Sequence, residues 1–217
     1  MAVFENFDRI IIINLPQRTD RRREMDQELE GIALANDPKV RYFPAIRPTE
    51  AGRFYSIGAR GCYESHKQIL REAANSNKSV LILEDDCEFV AGAHLYEIPK
   101  HWDIFYGGYT ASIPDELHDS DIMGSHMMGF SRNGAKAVSD YLELLDCDGS
   151  HPPVDAAYVW FRRAYPEIST HFAVPSLAGQ RASRSDIVSL RWFDRLPIFQ
   201  QLANFLRRMR EKKFVKI

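Results

Sequence analysis

Cysteine is scarce in this chain. Cys62, Cys87 and Cys147 are the three in 217 residues, an odd count with no CxxC spacing and no nearby Cys/His cluster. A disulfide framework and a structural zinc site are therefore not expected, and a reducing compartment is. Long apolar runs are also missing. No stretch reaches 18 apolar residues, and residues 1–9 carry acids with no apolar run before Ile10, so neither a membrane span nor a signal peptide is expected. Charge of one sign is not in excess, since 28 Lys+Arg meet 30 Asp+Glu for a net of -2. Nothing global then marks a nucleic-acid binder. Internal repeats and low-complexity segments are absent too.

What is present is a globular composition, 45% hydrophobic and 12% aromatic, long enough for one domain with a real core. Arg9 to Leu15 is a β-branched apolar run ended by Pro16, the pattern of a strand buried on both faces. Thr19 can cap a helix whose core stripe is Met25, Leu29 and Ile32. Further strands are predicted at Val40 to Pro44, Ser79 to Leu83, Trp102 to Tyr106 and Met127 to Ser131. Helices are predicted at Cys62 to Ala74, Gly134 to Leu145 and Ala156 to Ala164. This alternation predicts an α/β fold with a mostly parallel central sheet. A polar loop, Pro114 to Ser125, is long enough to be a lid or acceptor loop.

The near-neutral charge is a sum of unlike parts. Residues 191–217 hold eight Lys/Arg against Asp194 and Glu211, a net of +6 that leaves -8 for the rest. The tail reads as a basic amphipathic helix with Ile198, Phe199, Leu202, Phe205, Leu206 and Met209 on one stripe. It is expected either to contact an anionic membrane surface peripherally or to pack on protein. The division predicted is a domain at 1–190 and a helix at 191–217.

The sequence Glu84-Asp85-Asp86 ends an apolar strand, and in an open α/β sheet the carboxyl ends of strands are where ligands bind. Three crowded carboxylates either cap and face water or hold a hard divalent cation, Mg²⁺ or Mn²⁺, that could bridge to a nucleotide's phosphates. Just after the first strand, Asn14 to Arg18 and Arg21, Arg22 and Arg23 place guanidinium groups suited to phosphate, with Arg22 favoured. Gly58 to His66 is a glycine-punctuated segment entering a helix. It could hold an anion against free N–H donors, yet it lacks the GKS/T ending of a P-loop. Ser65 and His66 diverge on a helix and are no nucleophile–base pair, so His66 is as much a brace as a catalyst. Asp155 follows two prolines at a helix start, either as a plain N-cap or as a functional acid.

These segments together resemble glycosyltransferase family 25, the lipopolysaccharide and collagen sugar transferases. The resemblance runs in order from residue 9 to about 188. It is carried by Ile12 to Leu15 with Arg18, Thr19, Asp20 and Arg22, by Gly61-Cys62 with Ser65-His66, and by Leu81 to Asp86. It continues through Gly124 to Ser131 with Gly134-Ala135, Pro153 to Asp155, and Pro175 through Gln180 to Ser185-Asp186-Ile187. Pro16 and Gln17 depart from the charged residues expected after Asn-Leu.

The resemblance implies a GT-A type, Rossmann-like nucleotide-sugar domain. Glu84, Asp85 and Asp86 stand at the family's DxD-like metal motif for Mn²⁺ or Mg²⁺. Asn14, Leu15, Arg18, Arg22, Ser65, His66 and Asp85 are implied on the UDP-sugar donor side. The family implies galactose as a common sugar, a saccharide or lipid-linked acceptor in surface glycan or lipopolysaccharide synthesis, and inversion at the anomeric carbon. A direct displacement needs a base. Asp155 is the candidate, His126 competes as base or further metal ligand, and Asp103 is a third. The expected place is cytoplasmic, with the inner membrane face as the option that the tail offers. The rival readings are a nucleotide-sugar or glycan binder that has lost the chemistry, and a nucleotidyltransferase.

Overall fold

The structure, a computed structural model, describes residues 2–181. The basic tail at 191–217 and the Ser185-Asp186-Ile187 segment lie outside the described residues. A six-stranded sheet runs in the order β2, β1, β3, β6, β5, β7. Its strands are β1 (Arg9–Asn14), β2 (Val40–Pro44), β3 (Val80–Glu84), β5 (Ile104–Ala111), β6 (Ile122–Phe130) and β7 (Thr170–Phe172). β1 pairs parallel with β2 and β3, and β5 pairs parallel with β7. β6 alone runs against its neighbours β3 and β5. The sheet is thus mostly parallel, as expected. A two-stranded antiparallel ribbon of β4 (Cys87–Phe89) and β8 (Ala178–Gln180) stands beside it.

Both faces of the sheet are covered, and the period of two along each strand sorts side chains between two cores. Val80, Ile82, Ile104, Tyr106, Met128 and Phe130 point into one. There they meet α2 (Ile57–Asn75) through Tyr63, Ile69 and Leu70, α3 (Arg132–Leu144) through Val138 and Leu142, and α4 (Val154–Ala164) through Ala157 and Tyr158. Ile10, Ile12, Leu81, Leu83, Phe105 and Met127 point the other way, onto Met25 and Leu29 of α1 (Thr19–Gly31) and onto Phe4 and Phe7. That division explains why the central strands read as unbroken apolar runs.

Helix starts differ from the sequence expectation in informative ways. Thr19 is the first residue of α1 and Arg18 occupies the cap position, with no side-chain cap bond. α2 begins at Ile57, five residues before the expected Cys62, because Ser56 Oγ accepts from the Ala59 amide and closes the first turn. The glycines at 58 and 61 therefore lie inside a helix rather than in a loop. Gly61 has a packing reason, since a Cβ there would overlap the carbonyl oxygen of Ile46. Pro153 is the N-cap of α4, so Asp155 sits in the first turn. Of the polar loop, residues 122–125 belong to β6, and Arg162 binds the carbonyls of Leu117, His118 and Ser120.

Candidate functional site

β1 and β3 run parallel and in register, with Ile13 opposite Glu84, so their carboxyl ends open at one edge. A cavity of about 370 Å³ lies there, lined by the apolar Ile13, Leu15, Ile46 and Ile57 and by the charged Arg21, Glu84, Asp85 and Asp86. Cys62 and Ser65 of α2 also line it. The apolar β3 run delivers all three acids to the cavity because the chain turns immediately after Glu84, with Asp85 and Asp86 in the turn to β4.

Each acid has a different environment. Asp85 is buried, accepting from Arg21 Nη1 at 2.6 Å on Oδ1 and from Asn14 Nδ2 at 2.7 Å on Oδ2. Asp86 is buried too, 3.3 Å from Arg21 and accepting from Gln180 at 3.2 Å, and its Oδ1 has no hydrogen-bond partner. Burial, reinforced by the charge of Glu84, pushes the Asp86 carboxyl up against the pull of Arg21. Glu84 Oε1 accepts from Ser125 Oγ at 2.6 Å and lies 3.7 Å from His66 Nε2. Burial alone would raise its carboxyl, but His66, Ser125 and His126 outweigh that and hold it below the ordinary carboxylate range. Two adjacent carboxyls driven in opposite directions inside a cavity are a mark of functional sites.

The buried Asp86 oxygen without a partner is a donor that suits a hard divalent cation. Glu84 and Asp86 would hold it. Asp85, the third acid expected at the metal, already accepts from Arg21 on one oxygen and from Asn14 on the other.

The other expected residues divide. Asn14, Leu15, Ser65 and His66 gather at the acidic edge: Asn14 on Asp85, Leu15 on the cavity wall, Ser65 accepting from the Ile46 amide at 2.9 Å, and His66 against Glu84. His66 is fully buried, with Nδ1 2.9 Å from the Tyr158 hydroxyl. Arg18 does not line the cavity; it pairs with Asp20 at 2.9 Å. Arg22 is exposed and stacks over the Tyr42 ring at 4.2 Å. Its neighbour Arg21 is the one that enters the site. Helical phase could have found it, since Arg21 lies four and eight residues before Met25 and Leu29 and shares their buried face.

Asp155 and His126 both reach the Glu84 end of the sheet. Asp155 accepts from the Gly124 amide at 3.0 Å and from the Ala156 amide at 2.9 Å. Gly124 adopts the left-handed conformation, φ 85°, and Ser125 follows it onto Glu84. His126 is buried on the opposite face of β6, donating from Nε2 to the Ala178 carbonyl at 3.0 Å. Asp103 is removed from the site. It precedes β5 at the level of Val80, the far end of the sheet, and accepts from Ser131 Oγ, Asn133 Nδ2 and the Ser169 amide.

Cys62 completes a cluster that the sequence alone did not assign. With His66 at the i+4 position on α2 and Glu84 on β3, its sulfur belongs to a set of three donor atoms lying within 4.8 Å of one another.

Residues 7–103 match the family model of glycosyltransferase family 25, described as an LPS biosynthesis protein. The matched segment supplies Asn14, Arg21, Cys62, His66 and the three acids, whereas His126, Asp155 and Gln180 lie beyond it. Procollagen galactosyltransferase 1-B of Xenopus laevis is 28% identical over 138 residues, covering 51% of this chain and 23% of that protein. A glycosyltransferase 25 family member of Drosophila pseudoobscura pseudoobscura is 35% identical over 104 residues, 38% of this chain and 16% of the relative. The chain therefore spans under a quarter of the length of these curated relatives. Among solved structures, a glycosyltransferase involved in glycosylation of the major capsid of PBCV-1 aligns with TM-score 0.48 and 14% identity, over 80% of this chain and 93% of that one. A 4-diphosphocytidyl-2C-methyl-D-erythritol synthase from Anaerococcus prevotii aligns with TM-score 0.45 and 11% identity, over 92% and 79%. Among the described residues no helix is long and apolar enough to cross a membrane.

Proposed function

We propose that this chain is a metal-dependent glycosyltransferase that moves a sugar, galactose first among candidates, from a UDP-sugar to a saccharide acceptor of a surface glycan or lipopolysaccharide, with inversion. The observation that carries this reading is the cavity at the carboxyl ends of β1 and β3, where Glu84 and Asp86 stand beside an internal Arg21 counter-charge. It is supported by the family 25 match and by the galactosyltransferase relative.

In this reading Leu15 and Ile46 offer apolar area to the donor's base, and Arg21 adds positive charge near the diphosphate. Glu84 and Asp86 hold Mn²⁺ or Mg²⁺, which when bound neutralises charge developing on the departing diphosphate. Ser125 fixes the Glu84 carboxylate, which limits reorganisation during the reaction. Asp155 takes the proton of the acceptor hydroxyl. Its oxygens already accept two amide hydrogens, but a carboxylate has about four lone-pair sites, so capacity for a third proton remains. His126, turned toward Ala178, is the alternative base.

The test is UDP release from a panel of UDP-sugars with an acceptor, with Mn²⁺, with Mg²⁺ and with chelator. Release that depends on metal and acceptor is expected, and Asp86→Ala should abolish it with the fold intact. A pure binder releases no UDP, and a nucleotidyltransferase releases pyrophosphate. Asp155→Asn should lower the transfer rate by about 10²-fold or more with a smaller loss of UDP affinity. A normal rate would move the base to His126.

A further inference from the structure

We propose that Cys62, His66 and Glu84 form a binding site for a thiophilic divalent cation, zinc above all, that shares Glu84 with the hard-cation site but is chemically distinct from it. Sulfur, imidazole and carboxylate are the donor set that zinc takes, whereas magnesium and manganese favour oxygen alone. The geometry is close to that of a three-ligand centre. Cys62 Sγ lies 3.9 Å and His66 Nε2 3.7 Å from the same Glu84 oxygen. Ligand atoms on a tetrahedral zinc stand about 3.4 to 3.6 Å apart, given zinc bonds of about 2.0 to 2.3 Å. The Cys62 to His66 separation is bounded at 4.8 Å, so side-chain shifts of up to about an ångström close the set on a tetrahedral ion.

A second observation points to a ligand. His66 is fully buried, and its Nε2 has no hydrogen-bond partner although it faces Glu84. The other ring nitrogen meets the Tyr158 hydroxyl at 2.9 Å. If Nδ1 donates to that oxygen, Nε2 carries the lone pair and aims it between Cys62 and Glu84, the arrangement by which an outer partner orients a ligating imidazole. Ser125 orients Glu84 in the same way. Cys62 and His66 are one helical turn apart on α2, whose position is fixed by the close approach of Gly61 to Ile46. Cys62 and Glu84 also line the cavity, so the fourth coordination position opens to solvent, as in zinc sites that exchange a ligand. Binding replaces the Cys62 thiol proton, which leaves to solvent.

Cobalt(II) is the probe. The full chain, stripped of metal, should bind one cobalt per chain with the visible bands of a tetrahedral ion and a thiolate-to-cobalt charge-transfer band, and one equivalent of zinc should bleach both. Cys62→Ala should lose the charge-transfer band, Cys147→Ala should keep it, and Glu84→Gln should weaken cobalt binding at least about tenfold. Independently of any variant, one equivalent of zinc should slow alkylation of Cys62 at least about tenfold and leave Cys147 unchanged. A missing charge-transfer band, one that survives in Cys62→Ala, or no protection of Cys62 would overturn the proposal. These readouts report the site alone, so their failure leaves the glycosyltransferase reading standing, and loss of that reading leaves them intact.

Discussion

Arg21 offers a stringent test of the site's electrostatics. Its guanidinium sits 2.6 Å from Asp85 and 3.3 Å from Asp86, and all three residues are nine-tenths or more buried. Arg21→Met keeps much of the aliphatic stem and removes the charge, leaving two buried carboxylates without their counter-ion. Breaking such a buried pair typically costs about 3 to 5 kcal/mol. With a urea slope of about 2 kcal/mol per molar, the unfolding midpoint should fall by about 1.5 to 2.5 M. Asp85→Asn in the Arg21→Met background should recover much of the loss, so that the double-mutant cycle shows a coupling of about 2 kcal/mol or more. The same substitution adds net negative charge at the site, and Mn²⁺ should therefore raise the melting temperature of Arg21→Met more than that of the parent. A loss below about 1 kcal/mol, the worth of a solvent-screened surface pair, would refute the view of Arg21 as an internal counter-ion.

Two further outcomes follow from packing and titration. Gly61→Ala places a methyl against the Ile46 carbonyl and should cost about 1 to 3 kcal/mol as overpacking; an unchanged thermal midpoint would mean that α2 does not approach the 45–48 segment so closely. Asp8 accepts from the Ser79 amide at 3.0 Å and lies 3.3 Å from Arg132. Burial raises its carboxyl, but these partners outweigh that and bring it below the ordinary 3.8. A depressed acid stabilises the fold above its unfolded value and loses that contribution as pH falls through its folded value. Asp8→Asn should therefore cost about 1 to 3 kcal/mol at neutral pH, with the gap to the parent narrowing below about pH 4. A gap that stays constant with pH would assign the effect to shape rather than charge.

The layered fold was legible because its central strands are buried on both faces: Ile10 to Ile13 and Val80 to Leu83 carry the signal in composition alone. Short strands were not. β4, β7 and β8 have three residues each, too few for any periodicity, and they exist because long-range pairing holds them. Glu84, Asp85 and Asp86 were found as a group, yet their separate environments were not, since Arg21, Ser125 and Gln180 reach them from distant parts of the chain. The Arg21 and Arg22 choice turned on helical phase, which extending the Met25 and Leu29 stripe backward by one turn resolves. The Cys62 cluster was missed because its third member comes from a strand rather than from the helix that carries the other two.

The pairing of β4 with β8 has a consequence for how the protein is made. The turn that bears Asp85 and Asp86 is flanked by β3 on one side and β4 on the other, and among the described residues β4 pairs with β8. Gln180, which bonds Asp86, is 94 positions further along the chain. Arg181 then closes the join, its amide bonding the Asp86 carbonyl at 2.7 Å and its guanidinium reaching Glu24 at 2.9 Å. Such a contact carries a large loop-closure cost and forms late. During synthesis the acidic turn must stay open until the strand around residue 180 has left the ribosome, so cation affinity should emerge near the end of folding, after the central sheet has assembled.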